Sequence, residues 1–452
     1  MENKLNSYNP ETFELLGSVD ITNTNEIDKI VEKSKQAQTK WAKLSVDERI
    51  SYLQKAGEVL NRRSQELAKL LSQEMGKDFN RATGEVIGCA NDIIYKANEV
   101  KNAIKTQVFD RHGVKTELQY NALGVCAVIS PWNYPMAMAH WVIIPALVAG
   151  NSVVYKPSEE TPLIAKEYVE IFQSVLPKDV LQVVFGAEDQ GKALVKSNVN
   201  LITFTGSKDV GKNIMKNASD GLKRLILELG GKDPLIVLND ANIDRAARFA
   251  VASSFENAGQ MCTSSERIYV SKEIEEQFIQ RVITYAKNYQ VGSWNHPDTD
   301  IGPIINENQR TIIRKHIKDA IEKGATHHLG DINRNDSFIE PTVLSNVKDD
   351  MLVFKEETFG PVVAISSFET INEVIKRANS SDYALGASIF GRKDVDIVAT
   401  ELDAGMLGIN QGNGSIGDTP WVGAKQSGFG YHGSADGHRQ FTQPKVVTRR
   451  NR

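Results

Sequence analysis

The first hundred residues carry apolar side chains at the spacing of a helix. Between residues 27 and 41 they stand at positions 27, 30, 31, 37 and 41, and the interval is similar from 50 to 71. Positions three and four apart share one face of a helix, so the pattern predicts helices with one buried side. We expect this part of the chain to be mainly helical.

After Gly124 short apolar runs alternate with helical stretches. The runs span residues 125–129, 152–155, 180–184, 201–204 and 224–227, and the helical stretches span 162–176, 188–196 and 208–219. A second series begins near residue 234, with helices at 242–258, 273–288, 306–323 and 369–379 and strands at 266–270, 386–390 and 406–409. Such alternation is typical of parallel sheets with crossover helices, so we predict two α/β units.

Length and charge limit the classes of function. A single core stops growing at roughly 250–300 residues, so 452 residues predict two or three structural units. The net charge of −4 is small, which favours a small-molecule partner and argues against nucleic-acid or membrane-surface binding. The longest apolar stretch, 141–149, is interrupted by Pro145 and is too short to span a bilayer. Three cysteines and an N-terminus without a signal pattern predict a reducing cytoplasm.

Cys262 is the candidate nucleophile among the three cysteines. Cys89 and Cys126 lie in a predicted helix and an apolar run, so we expect both to be packing residues. Cys262 follows a helical pattern and precedes polar residues, which predicts a loop, and a thiol there can attack an electrophilic carbon. Glu228, beside two glycines, can take a proton from water. Taken alone, the two residues are also compatible with a buried apolar thiol and a solvated carboxylate.

Three glycine-rich segments are candidates for binding phosphate. Two of them, 412–417 and 428–433, match the dinucleotide fingerprint G-x-G-x-x-G. Neither lies between a predicted strand and a predicted helix, so we interpret both as loops. In the third, 201–211, a strand leads into Gly206-Ser207 and a helix follows. The helix N-terminus favours an anion, and Ser207 can contact a phosphate oxygen or serve only as the helix cap.

Lys156 and Glu159 offer a second cofactor contact. They follow the predicted strand at 152–155. In open α/β sheets ligands lie beyond the carboxyl ends of the strands, where a lysine and a carboxylate can hydrogen-bond ribose hydroxyls. Taken alone, the two residues are equally compatible with surface charges.

Six segments together resemble the aldehyde dehydrogenase superfamily, in their order and spacing. They are Ser130-Pro-Trp-Asn-Tyr-Pro135, Lys156-Pro-Ser-Glu159, Phe204-Thr-Gly-Ser207 with Gly211, Glu228-Leu-Gly-Gly-Lys232, Gly259-Gln-Met-Cys262 and Glu357-Thr-Phe-Gly-Pro361. The match covers essentially the whole chain, and its specificity comes from the joint occurrence of the motifs. The resemblance implies oxidation of an aldehyde to a carboxylic acid with NAD or NADP.

The resemblance also implies catalytic roles. Cys262 would attack the aldehyde carbon, and the Asn133 amide with the backbone N–H of Cys262 would hold the resulting oxyanion. Loss of hydride would then leave a thioester. Glu228 would be the general base for thioester hydrolysis, and it could also take the thiol proton.

The implied cofactor residues are Trp132, Lys156, Glu159, Gly206, Ser207, Glu357 and Phe359. Lys156 and Glu159 would contact the adenosine ribose, Ser207 the pyrophosphate and Glu357 the nicotinamide ribose. A carboxylate at Glu159 would repel a 2′-phosphate, so NAD is expected in preference to NADP, although Lys156 softens that repulsion. No metal is predicted.

The implied fold is α/β, with a Rossmann-like coenzyme-binding domain, a catalytic α/β domain and a small β oligomerisation arm. The coenzyme-binding domain is expected at 1–104 and 123–229, and the catalytic domain at 230–430. The β arm is expected at 105–122 and 431–452. The strand-like segments 114–120 and 445–448 fall in the arm and are predicted to pair with each other or with another subunit. In the family this arm pairs across a dimer, so we expect a homodimer or homotetramer.

The substrate pocket departs from the pattern of succinate-semialdehyde dehydrogenases, which this chain otherwise resembles. Members that use this substrate often carry arginines six residues before the nucleophile and eight after the oxyanion asparagine. Here those positions are Glu256 and Trp141, which argues against a dicarboxylic semialdehyde. Tyr134, Met138 and Trp141 predict an apolar, partly aromatic funnel. Glu256 could attract a cationic or hydroxylated substrate to this funnel. Alternatively, its side chain points away from the pocket.

Two other functions stay open on the sequence alone. A cofactor-independent cysteine hydrolase or acyltransferase usually needs a histidine base, and none of the eight histidines lies near either motif along the chain. A catalytically idle relative is the second alternative. The presence of Cys262, Glu228 and Asn133 argues against it.

Overall fold

The computed structural model describes residues 4–414 and 417–450, so the glycine-rich segment 412–417 lies partly outside the described residues. The helices are α1 (Ile27–Trp41), α2 (Val46–Arg62), α3 (Ser64–Met75), α4 (Phe79–Ala103), α5 (Ala137–Val148), α6 (Pro162–Gln173), α7 (Glu188–Lys196), α8 (Lys208–Ala218), α9 (Ile243–Phe255), α10 (Glu275–Ala286), α11 (Glu307–Glu322), α12 (Leu352–Lys355), α13 (Ile371–Asn379), α14 (Val395–Glu401) and α15 (Ser434–Arg439). The strands are β1 (Lys4–Tyr8), β2 (Leu15–Asp20), β3 (Gln107–Arg111), β4 (Val114–Ala122), β5 (Val125–Ile129), β6 (Ser152–Lys156), β7 (Leu181–Val183), β8 (Leu201–Thr205), β9 (Arg224–Glu228), β10 (Asp233–Val237), β11 (Ser265–Ser271), β12 (Thr326–Leu329), β13 (Thr342–Ser345), β14 (Val362–Phe368), β15 (Tyr383–Ala384), β16 (Gly386–Phe390), β17 (Met406–Ile409), β18 (Trp421–Val422), β19 (Ala424–Lys425), β20 (Gly428–Phe429), β21 (Tyr431–His432) and β22 (Thr442–Arg450).

The first sheet has the strand order β20-β9-β8-β5-β6-β7. Its five strands from β5 to β9 are parallel, and β20 adds to the edge antiparallel to β9. Helices α5 to α8 connect these strands, and α6, α7 and α8 match the predicted helical stretches. Apolar residues from β5 and β6 are buried on both faces, against α2 to α6 on one side and α1, α7 and α8 on the other. The carboxyl ends of the parallel strands therefore form one edge, on which ligand-binding residues can gather.

The second sheet has the order β12-β13-β14-β11-β10-β16-β17 and is parallel except for β12. Strands β11, β16 and β17 and helices α9, α10, α11 and α13 match predicted segments. Strand β10 was not predicted, because it starts with Asp233-Pro234 and a proline lacks the N–H that a central strand needs. The register shifts between these two residues, which accommodates the proline.

A third sheet of three strands has the order β22-β4-β3. Strand β22 pairs with β4 over its full length, from Thr442 opposite Ala122 to Arg450 opposite Val114. Of the two predicted arrangements, pairing within one chain is therefore the one observed. Val108 and Phe109 on β3 and Val446 on β22 expose much of their side chains.

The N-terminal hundred residues are mainly helical, as predicted, but they begin with an antiparallel hairpin of β1 and β2. Its strands are largely exposed and polar, so their hydrophobic pattern is weak. Helix α2 starts at a capping box in which Ser45 and Glu48 bond each other's backbone N–H. None of the described helices is both long and apolar enough to cross a bilayer.

Candidate active site

Cys262 lies in a turn between α9 and β11, and the backbone before it is strained. Asn257, Ala258 and Gly259 all have positive φ, of 51°, 57° and 74°. This conformation costs roughly 1–2 kcal/mol for each residue that carries a Cβ. A Cβ on Gly259 would lie 2.0 Å from the carbonyl oxygen of Gly360, so only glycine permits this approach. The loop that carries Cys262 is thus packed directly on the loop at 357–361.

The Cys262 thiol is half-buried, whereas Cys89 and Cys126 are buried in α4 and β5, as the sequence predicts. Burial raises the pKa of all three thiols. At Cys262 the carboxylates of Glu228, Asp233 and Glu357 raise the pKa further. Cys262 therefore rests as a thiol, and it must lose its proton before it can act as a nucleophile.

Glu228 ends strand β9 with a buried side chain. The glycines that follow it bring its segment onto the cysteine loop. A Cβ on Gly231 would lie 2.1 Å from the carbonyl oxygen of Cys262, so this contact also requires a glycine. The structure thus brings together the two candidate catalytic segments.

Asn133 is buried after strand β5, beside the same loop. Its Nδ2 donates a hydrogen bond to the backbone oxygen of Gln260 at 3.0 Å, and Nδ2 of Asn257 donates to the backbone oxygen of Asn133 at 3.1 Å. A side-chain amide has two N–H donors, so one remains for a substrate oxygen. The Asn133 amide is therefore fixed next to Cys262 with donor capacity to spare.

A cleft of about 860 Å³ lies at the carboxyl ends of β5, β6 and β8. Five of the predicted cofactor residues line it: Trp132, Lys156, Glu159, Gly206 and Ser207. Ser207 occupies the N-cap position of α8, but its hydroxyl makes no capping hydrogen bond. The hydroxyl and the helix N-terminus are thus both available to an anion, which fits a pyrophosphate.

Lys156 is a buried residue, so its interpretation as a surface charge is wrong. Its Nζ donates to the backbone oxygen of Pro157 at 2.8 Å and to Oε2 of Glu159 at 3.4 Å. Burial lowers the pKa of Lys156. The Glu159 side chain is 46% exposed, so its carboxylate can turn towards the cleft or into solvent.

Glu357 and Phe359 join the cleft to the cysteine loop. A Glu357 oxygen accepts the N–H of Gly231 at 2.8 Å, and burial raises the pKa of this carboxyl. The Phe359 ring meets Trp132 edge-on at 5.6 Å between centroids. Glu266, which the sequence did not single out, accepts the N–H groups of Thr358 and Phe359 at 2.7 and 2.8 Å. This carboxylate also pairs with the buried Lys232, so it anchors the loop.

The predicted substrate residues fall into two groups. Tyr134 donates its hydroxyl hydrogen bond to Glu256 at 3.2 Å, and Nε of Arg81 donates to both Glu256 oxygens at 2.9 and 3.0 Å. Arg81 therefore compensates the charge that could attract a cationic substrate. In the second group Trp141 lies 6.0 Å from the Trp421 ring, on the same helix as the buried Met138.

The family model for the aldehyde dehydrogenase family matches residues 1–447 of the chain. The chain belongs to this family. A probable succinate-semialdehyde dehydrogenase [NADP(+)] from Sinorhizobium fredii is 36% identical, with 97% of this chain and 91% of that protein covered. A betaine aldehyde dehydrogenase from Bacillus subtilis is 35% identical, with coverages of 90% and 86%. The crystal structure of an aldehyde dehydrogenase from Brucella melitensis biovar abortus 2308 superimposes with a TM-score of 0.96 at 33% identity, with coverages of 99% and 94%.

These comparisons confirm the family, the α/β fold and the oxidation of aldehydes with NAD or NADP. They correct the expected rank of the two cofactors. A relative that spans almost the whole chain is named for NADP(+), so the argument from Glu159 does not make NADP the lesser candidate. The half-exposed Glu159 side chain gives the physical reason, because its carboxylate is free to turn into solvent.

The contact between His432 and Glu228 could not be predicted from the sequence of this dehydrogenase. Nε2 of His432 contacts Oε1 of Glu228, although the two residues lie far apart in the chain. Strand β20 brings them together, because it pairs with the end of β9. Within residues 4–414 and 417–450, no histidine forms a hydrogen bond with Cys262, so a cysteine–histidine hydrolase gains no support from this contact.

Proposed function

We propose that Cys262 is the nucleophile of this aldehyde dehydrogenase. Its proton passes to solvent, its sulfur bonds to the aldehyde carbon, and the carbonyl oxygen takes up the negative charge. Asn133 donates to that oxyanion with its spare amide N–H, and the backbone N–H of Cys262 is the second donor. One such donor contributes about 2.7–4 kcal/mol to transition-state stabilisation.

The cleft at the carboxyl ends of the first sheet is the proposed site for NAD or NADP. When bound, the cofactor supplies the hydride acceptor that allows the Cys262 adduct to become a thioester. Ser207 and the N-terminus of α8 would hold the pyrophosphate, and Lys156 and Glu159 the adenosine ribose. Glu357 would hold the nicotinamide ribose beside Cys262. The free hydroxyl of Ser207 supports this assignment.

Glu228 is the proposed base for the second half of the reaction. Its carboxylate takes a proton from water, the hydroxide bonds to the thioester carbon, and the carbon–sulfur bond breaks. The products are a carboxylic acid and the Cys262 thiolate. The observation that carries the proposal is the contact between Gly231 and the Cys262 carbonyl, which places the Glu228 segment against the nucleophile's loop.

The proposed substrate is an aldehyde without a distal carboxylate. Arg81 contacts Glu256 of the candidate pocket, and its guanidinium is already occupied by Glu256 and Asp78. The paired indoles of Trp141 and Trp421 instead offer apolar surface to an aliphatic or aromatic group. Succinate semialdehyde should therefore react less efficiently than an uncharged aldehyde of similar length.

Three further expectations belong to this proposal. The division into a coenzyme-binding domain, a catalytic domain and a β arm is retained, except that β20, within the segment 230–430, belongs to the first sheet. A homodimer or homotetramer would cover the exposed apolar residues of the arm, Val108, Phe109 and Val446. A catalytic thiol works only when reduced, which favours the cytoplasm.

The proposed activity is tested by steady-state oxidation of aliphatic, aromatic, amino- and carboxy-aldehydes, each with NAD and with NADP. We expect reduced cofactor with the uncharged aldehydes and a loss of at least about 1,000-fold in Cys262→Ala, because the covalent route is removed. Cys126→Ala is the matched control and should stay active, since that thiol is buried in β5. Full turnover in Cys262→Ala would contradict the proposal.

A further inference from the structure

A polar neighbour of the proposed base comes from the C-terminal part of the chain. Nε2 of His432 contacts Oε1 of Glu228, and the two side chains are only 7% and 10% exposed. That oxygen has no hydrogen-bond partner in the described part of the chain, so the His432 contact is a close approach rather than a formed hydrogen bond. Because buried carboxylate oxygens normally have a donor, His432 is the one this site offers.

The backbone on both sides of Glu228 is tied to the segment that leads to His432. Gly428 lies opposite Glu228 in the pairing of β20 with β9. The N–H of Leu229 donates to the Ser427 carbonyl at 2.9 Å, and the Ser427 hydroxyl donates to the Gly230 carbonyl at 2.7 Å. The distance between the histidine and the carboxylate is therefore set by backbone pairing rather than by a flexible loop.

The imidazole ring is confined as well. His432 lies opposite Trp421 in the pairing of β18 with β21, and the Trp141 ring is 6.2 Å from the imidazole. Helix α15 packs on the backbone behind it, since a Cβ on Gly437 would lie 2.7 Å from the His432 carbonyl carbon. A ring enclosed in this way can hold its partner in one orientation.

We propose that His432 is a positioning residue for Glu228. Its Nε2–H donates to Oε1 and keeps the carboxylate in the orientation from which it takes a proton from water. This inference rests on the role proposed for Glu228.

The effect of His432 is confined to one half of the reaction. Bond formation by Cys262 does not use the carboxylate, whereas thioester hydrolysis does. A histidine that only stabilised the fold would alter both steps. The separation of acylation from deacylation is therefore the readout that identifies a positioning role.

The probe is p-nitrophenyl acetate, with no nicotinamide cofactor present. Its acetyl group transfers to the Cys262 sulfur as nitrophenolate leaves, so the first turnover reports acylation and the steady state reports hydrolysis of the acetyl-enzyme. In His432→Leu we expect acylation within about twofold of the wild type and deacylation slower by about 10- to 100-fold, the range that misplacement of a catalytic group produces. In His432→Gln, which keeps an N–H donor, deacylation should recover most of this loss.

Two controls accompany these variants. Tyr431→Leu changes the neighbouring residue of β21, whose side chain points to the other face of the strand, and it should leave both rates unchanged. The double variant His432→Leu with Glu228→Gln should deacylate as slowly as Glu228→Gln alone, because His432 acts through that carboxylate. Circular dichroism establishes that each variant is folded.

The outcomes separate this inference from the proposed function. Wild-type deacylation in Glu228→Gln would overturn the role of Glu228 itself. Slow deacylation in Glu228→Gln together with wild-type deacylation in His432→Leu would overturn only the positioning role. Equal losses in His432→Leu and His432→Gln, or a matching loss of acylation, would also overturn it, because the donor would then be irrelevant.

Discussion

Burial and three neighbouring carboxylates keep the Cys262 thiol protonated. Desolvation disfavours the thiolate most, and Glu228, Asp233 and Glu357 repel it further, so its pKa lies well above the usual range. A group with a raised pKa gains reactivity as the pH rises. The carboxylates proposed for water activation and cofactor binding, Glu228 and Glu357, thus also disfavour the thiolate of Cys262.

The reactivity of Cys262 towards iodoacetamide should therefore still be rising at about pH 9, above the ordinary thiol pKa of about 8.5. Glu228→Gln should speed alkylation at about pH 8, because one anion next to the sulfur is removed. Mass spectrometry of the labelled peptide gives the rate, and Cys262→Ala controls for the buried thiols. A plateau below about pH 7 would show that the thiolate is stabilised instead.

The proposed catalytic residues Cys262, Glu228 and Asn133 could be named from the sequence because they lie in short motifs that resemble those of the family. Glu266 and Arg81 could not be predicted in the same way, since each acts through a contact with a residue distant in sequence. His432 is the clearest case, because only the pairing of β20 with β9 brings it to Glu228.

At the scale of elements, two glycines allow the loops of the candidate site to pack closely. Gly231 and Gly259 allow the base segment, the cysteine loop and the loop at 357–361 to pack backbone against backbone. The elements around them followed from periodicity where strands were short, apolar and bounded by helices. The sequence reading missed β10, with its internal proline, the polar strands β1 and β2, and also β12, β13 and β14.

Gly231→Ala should lower kcat/KM by about 100-fold, because a Cβ there would lie 2.1 Å from the Cys262 carbonyl oxygen and must displace the nucleophile. Gly84→Ala in α4 is the matched control, since nothing lies within 4 Å of its Cβ position. That change should leave activity intact and stabilise the helix by about 0.5–1 kcal/mol. The rate of aldehyde oxidation and the thermal unfolding temperature are measured for both variants. A fully active Gly231→Ala would refute the packing argument.

For the molecule as a whole, the alternation predicted two α/β units and two strands outside them, and the family resemblance implied that these strands form a β arm. The contact between the two units could not be predicted. The candidate site combines side chains from both sheets, and the sequence does not show how the sheets meet. Strand β20 illustrates the limit: it lies within the segment assigned to the catalytic domain, yet it extends the first sheet beside β9. Sequence order alone does not reveal such an exchange.

The β arm should mediate self-association. Val446 exposes 66% of its surface on β22, and a carboxylate there would be buried in an interface between copies. Val446→Glu should therefore lower the mass measured by light scattering at a fixed protein concentration. Ile332→Glu, at a position 49% exposed outside the arm, is the control. An unchanged mass in Val446→Glu would place the interface elsewhere.

The central claim is that Cys262 and Glu228 divide the reaction into two halves. Stopped-flow measurement of reduced cofactor in Glu228→Gln tests it most directly. The account predicts a rapid burst of about one equivalent per active site, followed by a steady state slower than that of the wild type by at least about 100-fold. Loss of the burst would show that Glu228 also activates the thiol, and an unchanged steady state would show that another group activates water.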